Sequence, residues 1–256
     1  MGAVALLAGG GADVAARLAG SMTALQFAIG ALNDLVDAPS DAGRHPPKPI
    51  SSGLVPVGSA RTVAGTCAVL GLGIAATIGV GVVVLALLVL AIGASYDFLA
   101  KGTAWSWLPF AVGIPILPVY GWYGATGALP PFFAALLPMA MLAGAALAIA
   151  NARVDLDADR AAGTASVASR LGDDRAWLAH AAMWVAVVGL AIAWLVVVGA
   201  PSPSVVAVAA TGIVLGAAVL RARGTTGRRR RWAWELEALV AAGALVIWLQ
   251  AVLVSP

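Results

Sequence analysis

Apolar residues fall into eight long stretches, near residues 13–38, 57–78, 80–97, 106–124, 129–158, 175–199, 203–222 and 231–254, separated by short polar breaks. Two runs, Ala68 to Ser95 and Ala179 to Ala200, contain no Asp, Glu, Lys or Arg and exceed the roughly 20 residues that a helix needs to cross a bilayer. No stretch alternates apolar and polar residues with a period of two, which argues against a transmembrane β-barrel. The pattern predicts an all-α integral membrane protein, a bundle of about eight to nine transmembrane helices forming one domain over residues 1–256. Before the first stretch lies only Gly2 to Ala8, too short to span and followed by Gly9-Gly10-Gly11. It reads either as the tail of a helix otherwise missing from the chain or as a frayed interfacial segment.

Composition supports this reading. The chain is 61% hydrophobic and 11% charged, against roughly 25% charged residues in soluble domains, so most of its area must face lipid. The single cysteine, Cys67, lies inside an apolar run and rules out an internal disulfide. Charge then orients the array, because Lys and Arg collect in cytoplasmic breaks. Arg44, Lys48 and Arg61 follow the first long stretch, Lys101 the third, Arg153 to Arg175 the fifth and Arg221 to Arg231 the seventh; the other breaks carry no charge. The loaded breaks are therefore expected at the cytoplasmic face of a bacterial plasma membrane, with the C-terminus outside. Asp13 and Arg17 alone mark the opposite face. Carboxylates concentrate with the basic residues, and acids gathered this way at a membrane face point to a functional site.

Two acidic clusters stand out. In the first, Asn33 and Asp34 close an apolar stretch, Asp37 follows three residues later on the same helical face, and Asp41 hangs beyond Pro39, which ends the helix. A proline-rich segment, Arg44-His45-Pro46-Pro47-Lys48-Pro49-Ile50, leads on to Gly53. In the second, Asn151, Asp155 and Asp159 recur every four residues and are expected on one helical face, with Arg153 and Asp157 turned away as a surface ion pair. Stacked carboxylates repel one another, a cost tolerated when a cation sits between them. Hard oxygen donors of this kind suit Mg²⁺ held jointly with phosphate oxygens. Two such clusters beside Arg and Lys describe a receptor for the diphosphate of a lipid whose tail lies in the bilayer.

The paired motifs resemble those of the UbiA superfamily of intramembrane prenyltransferases. Asn33, Asp34, Asp37, Asp41, Lys48, Pro49, Ile50 and Gly53 match the family's first motif, N-D-x-x-D-x-x-x-D with a proline-rich K/R-P-I stretch and a glycine. Asn151, Asp155, Asp159, Arg160 and Gly163 match the second. The resemblance implies a helical bundle around a central apolar cavity, in which a prenyl diphosphate ionises with Mg²⁺ between the two motifs and an acceptor captures its C1. It assigns metal to Asp34, Asp37, Asp41, Asp155 and Asp159, with catalysis resting on Asp34, Asp37, Asp155 and Asp159. Diphosphate binding falls to Asn33, Arg44, Lys48, Lys101, Asn151 and Arg160; Tyr96 with Lys101 resembles a further pair that family members direct at the diphosphate. Since the family places its motifs after the second and sixth of nine helices, the resemblance also favours a truncated first helix.

The acceptor is not readable from the motifs, although the basic mouth favours a polar aromatic or phosphorylated molecule. A terpene cyclase that uses the same site without an acceptor remains an alternative, and a non-enzymatic ion transporter a more distant one, since its acids belong near the bilayer midplane. A phosphatidyl-alcohol transferase requires a continuous D-x-x-D-G-x-x-A-R motif, which is missing. The run Arg228 to Arg231 follows from the charge rule, with no nucleic-acid partner implied. His180 reads as a structural residue, and Tyr120, Trp122 and their aromatic neighbours as an interfacial belt or a cation-stabilising surface.

Overall fold

The computed structural model describes residues 1–41 and 48–255. Among them every regular element is helical: α1 Gly2–Leu7, α2 Ala12–Asp37, α3 Val57–Ala76, α4 Val80–Ser95 continued by a π-helical turn Tyr96–Ala100, α5 Leu108–Thr126, α6 Phe133–Val154, α7 Leu156–Ala161, α8 Val167–Leu171, α9 Asp173–Val197, α10 Ser202–Ala222 and α11 Gly227–Leu253. The eight long elements coincide with the eight predicted stretches. Seven of them (α3, α4 with its π turn, α5, α6, α9, α10 and α11) are long and apolar enough to cross a membrane. The eighth, α2, has the length at 26 residues but carries Ser21, Thr23, Gln26, Asn33, Asp34 and Asp37. Val80, Val197, Leu99 and Ile213 are among many large apolar side chains left exposed, as expected of surfaces that meet lipid rather than water.

The chain clusters into two compact units, residues 1–99 with 116–129, and residues 100–115 with 130 to the C-terminus. In the first, α2 packs along α3 through small residues. A Cβ on Gly71 would lie 2.8 Å from the Leu25 side chain and 3.1 Å from the Ser21 carbonyl, so only glycine permits this approach, the usual device where lipid offers no hydrophobic drive between helices. Ser21 Oγ sits 2.7 Å from the Gly71 carbonyl and 2.6 Å from the Tyr120 hydroxyl. Tyr120, fully buried, and Trp122 are thus core residues, not members of an interfacial belt. At the far end Arg17 pairs with Asp13 at 2.8 Å and donates to the Thr77 carbonyl, tying the start of α2 to the end of α3. Gly2–Leu7 is an ordered helical turn with Val4 and Ala5 buried, not a frayed segment.

The second unit is built on α6, α9, α10 and α11. Indole N–H groups stitch it: Trp177 donates to the Val219 carbonyl, Trp234 to Leu147 and Trp248 to Ala191, at 3.0–3.1 Å. Such bonds contribute roughly 0.6 kcal/mol each between membrane helices. His180 and Glu237, both fully buried, meet at 2.6 Å between α9 and α11. His180 is therefore a structural residue, as expected, and Glu237 lies about three turns inside α11.

Candidate active site

The first acidic motif forms at the C-terminus of α2. The helix ends at Asp37, and the Asp41 amide bonds back to the Asp37 carbonyl at 2.9 Å. This extra turn brings Asp41, 2% exposed, beneath Asp37. Across the loop, turns bonded from Ser52 to Lys48 and from Val55 to Pro49 bring the chain back. They close at Gly53, whose φ of +77° lies in the left-handed region that side chains disfavour. The result is convergence: Lys48 Nζ lies 2.8 Å from Asp41, 3.1 Å from Asp37 and 3.6 Å from Asp34. Burial disfavours the ammonium, but its hydrogen bonds to Asp41 and Asp37 outweigh that and hold its pKa above the usual lysine range.

Asp34, Asp37 and Asp41 are thus brought together as the spacing implies, and Lys48, which the resemblance adds, lies among them. Arg44 and His45 lie outside the described residues. A residue not expected in the site joins it: Asp97, buried on the π turn, accepts from Asn33 Nδ2 at 2.6 Å. Asp97 stands alone at the end of an apolar stretch, and nothing in its spacing ties it to the first motif. The π turn itself, a feature frequent at functional sites, leads directly to half-buried Lys101.

The second motif departs from expectation in three ways. The helix does not run through it: α6 stops at Val154, Asp155 takes φ −97° and ψ 8°, and α7 starts at Leu156. Asn151, Asp155 and Asp159 therefore span a break and not a continuous face, although the Asp159 amide still bonds to the Asp155 carbonyl at 2.8 Å. Arg153 makes no surface pair with Asp157; it is 1% exposed and donates to Asp173 at 2.8 Å. Arg230, from the run ascribed to charge sidedness alone, is 5% exposed and also bonds Asp173, at 3.0 Å. The cause is tertiary: α9 and α11 pack against the last turn of α6 and supply partners for the Arg153 side chain and carbonyl. Asp155 and Arg160 stay exposed and Asp159 half-buried, with Arg231 3.8 Å from Asp155. Gly163, φ +68°, caps α7 with the Thr164 amide on the Asp159 carbonyl.

Among the described residues no three His, Cys, Asp or Glu side chains form a closed metal cage. The donor set still fits a divalent cation of the Mg²⁺ type, which is bound through one or two carboxylates with substrate phosphates completing the sphere. Three carboxylates already gather around one positive charge at the first motif.

Solved structures share the fold. A UbiA homolog from Aeropyrum pernix K1, in its apo form, matches with a TM-score of 0.76 at 22% identity, covering 95% of this chain and 91% of that one. A UbiA homolog from Archaeoglobus fulgidus bound to GPP and Mg²⁺ matches with a TM-score of 0.70 at 18% identity, over 96% and 93%. A digeranylgeranylglyceryl phosphate synthase matches at 0.73 and 13% identity, over 98% and 91%. No curated protein matches the chain significantly in sequence. The family model of the UbiA prenyltransferases matches residues 1–253, nearly the whole chain with both acidic motifs, and the chain belongs to that family.

Proposed function

We propose that this protein is a Mg²⁺-dependent intramembrane prenyltransferase that moves an isoprenyl group from a prenyl diphosphate to a polar small-molecule acceptor. The observation that carries the reading is the convergence of Asp34, Asp37 and Asp41 on a single cation, Lys48, within 3.6 Å. The A. fulgidus homolog bound to GPP and Mg²⁺ supports the substrate class. In the reaction the C1–O bond of the prenyl diphosphate breaks, diphosphate departs with the electron pair, and the acceptor bonds C1 and gives up a proton. Mg²⁺, when bound, neutralises the charge growing on the leaving diphosphate. Asp34, Asp37 and Asp41 would hold it at the first motif, and Asp155 and Asp159 at the second. Lys48 would exchange carboxylates for diphosphate oxygens, assisted by Arg44, Lys101 and Arg160, with Asn33 and Asn151 orienting them. The apolar helices keep water from the allylic cation.

The test uses full-length protein in nanodiscs with geranyl diphosphate, Mg²⁺ and cell extract as the acceptor source. Prenylated product is expected with Mg²⁺ and none in EDTA. Diphosphate release undiminished by EDTA overturns the reading, and a cyclic hydrocarbon formed without extract replaces the transferase with a cyclase. The arginine-rich breaks support a cytoplasmic placement of the acidic ends; on that reading a cysteine introduced at Gly227 is labelled only from inside.

A further inference from the structure

Two arginines and one aspartate are buried or half-buried together at the end of α6, which charge sidedness does not require, since exposed side chains satisfy it equally well. Arg230 uses its whole fork: Nε donates to the Thr225 carbonyl at 2.7 Å, Nη1 to the Arg153 carbonyl at 2.6 Å and Nη2 to Asp173 at 3.0 Å. Asp173 takes a second bond from Arg153 Nε at 2.8 Å. One carboxylate at the start of α9 thus locks the last turn of α6 to the first turn of α11. Burying such a group is costly unless every member is satisfied, and here the bonds lead somewhere.

They lead to the acids of the second motif. The Arg153 carbonyl that Arg230 holds lies two residues before Asp155, at the break where α6 ends. The buried guanidinium therefore holds the last turn of α6, and the Asp155 carbonyl holds the Asp159 amide. A carbonyl in the last turn of a helix lacks an intrahelical partner, so without Arg230 this end is free to re-form in another direction.

We infer that Arg230 and Asp173 are positioning residues for the second acidic motif, fixing the direction in which Asp155 and Asp159 leave α6 and so the Mg²⁺ concentration at which a prenyl diphosphate binds. This rests on the reading of Asp155 and Asp159 as Mg²⁺ ligands. Groups that orient metal ligands typically change metal affinity 10- to 100-fold when removed.

The experiment titrates MgCl₂ against full-length protein in nanodiscs with geranyl diphosphate as the probe, reading binding by calorimetry. Asp173→Asn and Arg230→Gln are expected to raise the Mg²⁺ midpoint by roughly tenfold or more. Arg230→Lys, which keeps the charge and loses the fork, shifts it by less and serves where Arg230→Gln fails to fold. Hydrogen exchange without ligand gives an independent readout: amides 151–160 exchange faster in the variants. Leu195→Ala, a fully buried core change in the same unit, lowers the melting temperature and leaves the midpoint alone. A wild-type midpoint and unchanged exchange in folded Asp173→Asn and Arg230→Lys overturn the inference, as does an equal shift in Leu195→Ala. If instead Asp155→Asn leaves the midpoint untouched, the metal-ligand reading itself falls and the inference with it.

Discussion

The two acidic motifs look alike in sequence and are built differently. The first is mostly local: its acids converge on Lys48, eleven residues from Asp37, Asp41 is buried beneath them, and one long-range bond ties Asn33 to Asp97. The second leaves Asp155 exposed and Asp159 half-buried and takes its support from Asp173 and Arg230, side chains 20 and 77 residues from Arg153. Local chain therefore shapes the first, and packing of separate helices shapes the second. Damage to the first should stay local, whereas damage to the support of the second should cost stability as well.

The largest expected effect is common to both. Asp34→Asn and Asp155→Asn should each lower Mg²⁺-dependent prenyl transfer by more than the roughly 100-fold upper range for supporting residues, measured as lipid product, with melting temperatures close to wild type. Loss at only one of the two would make the motifs unequal in chemistry as they are in construction.

Stability separates them next. Arg153→Met leaves Asp173 without one of its two guanidinium partners and should destabilise the protein by roughly 3 kcal/mol, the lower range for breaking a buried pair, because Asp173 is still 32% exposed. Asp157→Ala should stay within about 0.5 kcal/mol, as for ordinary surface changes. Thermal unfolding in detergent compares the two, and a larger loss in Asp157→Ala would restore the surface pair that local spacing suggests.

The glycines that close each motif should behave alike. Gly53→Ala and Gly163→Ala force a side chain into left-handed backbone, at φ +77° and +68°, and should each cost about 1–2 kcal/mol in the same unfolding experiment.

The smallest effect tests the first motif's internal cation. With its pKa held above the ordinary value, Lys48 contributes its full stabilisation below the unfolded pKa of about 10.4 and loses it as pH rises through the raised folded value. The difference in melting temperature between wild type and Lys48→Met should stay constant from neutral pH to about 10 and shrink above it. Its size should be about 1 kcal/mol or less, since the side chain is 41% exposed. A difference that grows with pH would mean that Lys48 opposes the fold.

Local chemistry was enough to determine the helices and the first motif. A helix that must satisfy its backbone in lipid is written in its apolar run, so all eight long elements were legible, and Asp34, Asp37, Asp41 and Lys48 meet because few residues separate them. Even so, Asp97 could not be read, since Asn33 reaches it from another helix across 64 positions. The periodicity of Asn151, Asp155 and Asp159 promised a continuous face that the break at Asp155 removes. Arg153 and Arg230 looked like surface charges because sequence records charge but not the depth at which packing places it. Whether a guanidinium meets water or a carboxylate from a distant helix is decided by which helices pack together, and only the tertiary structure holds that information.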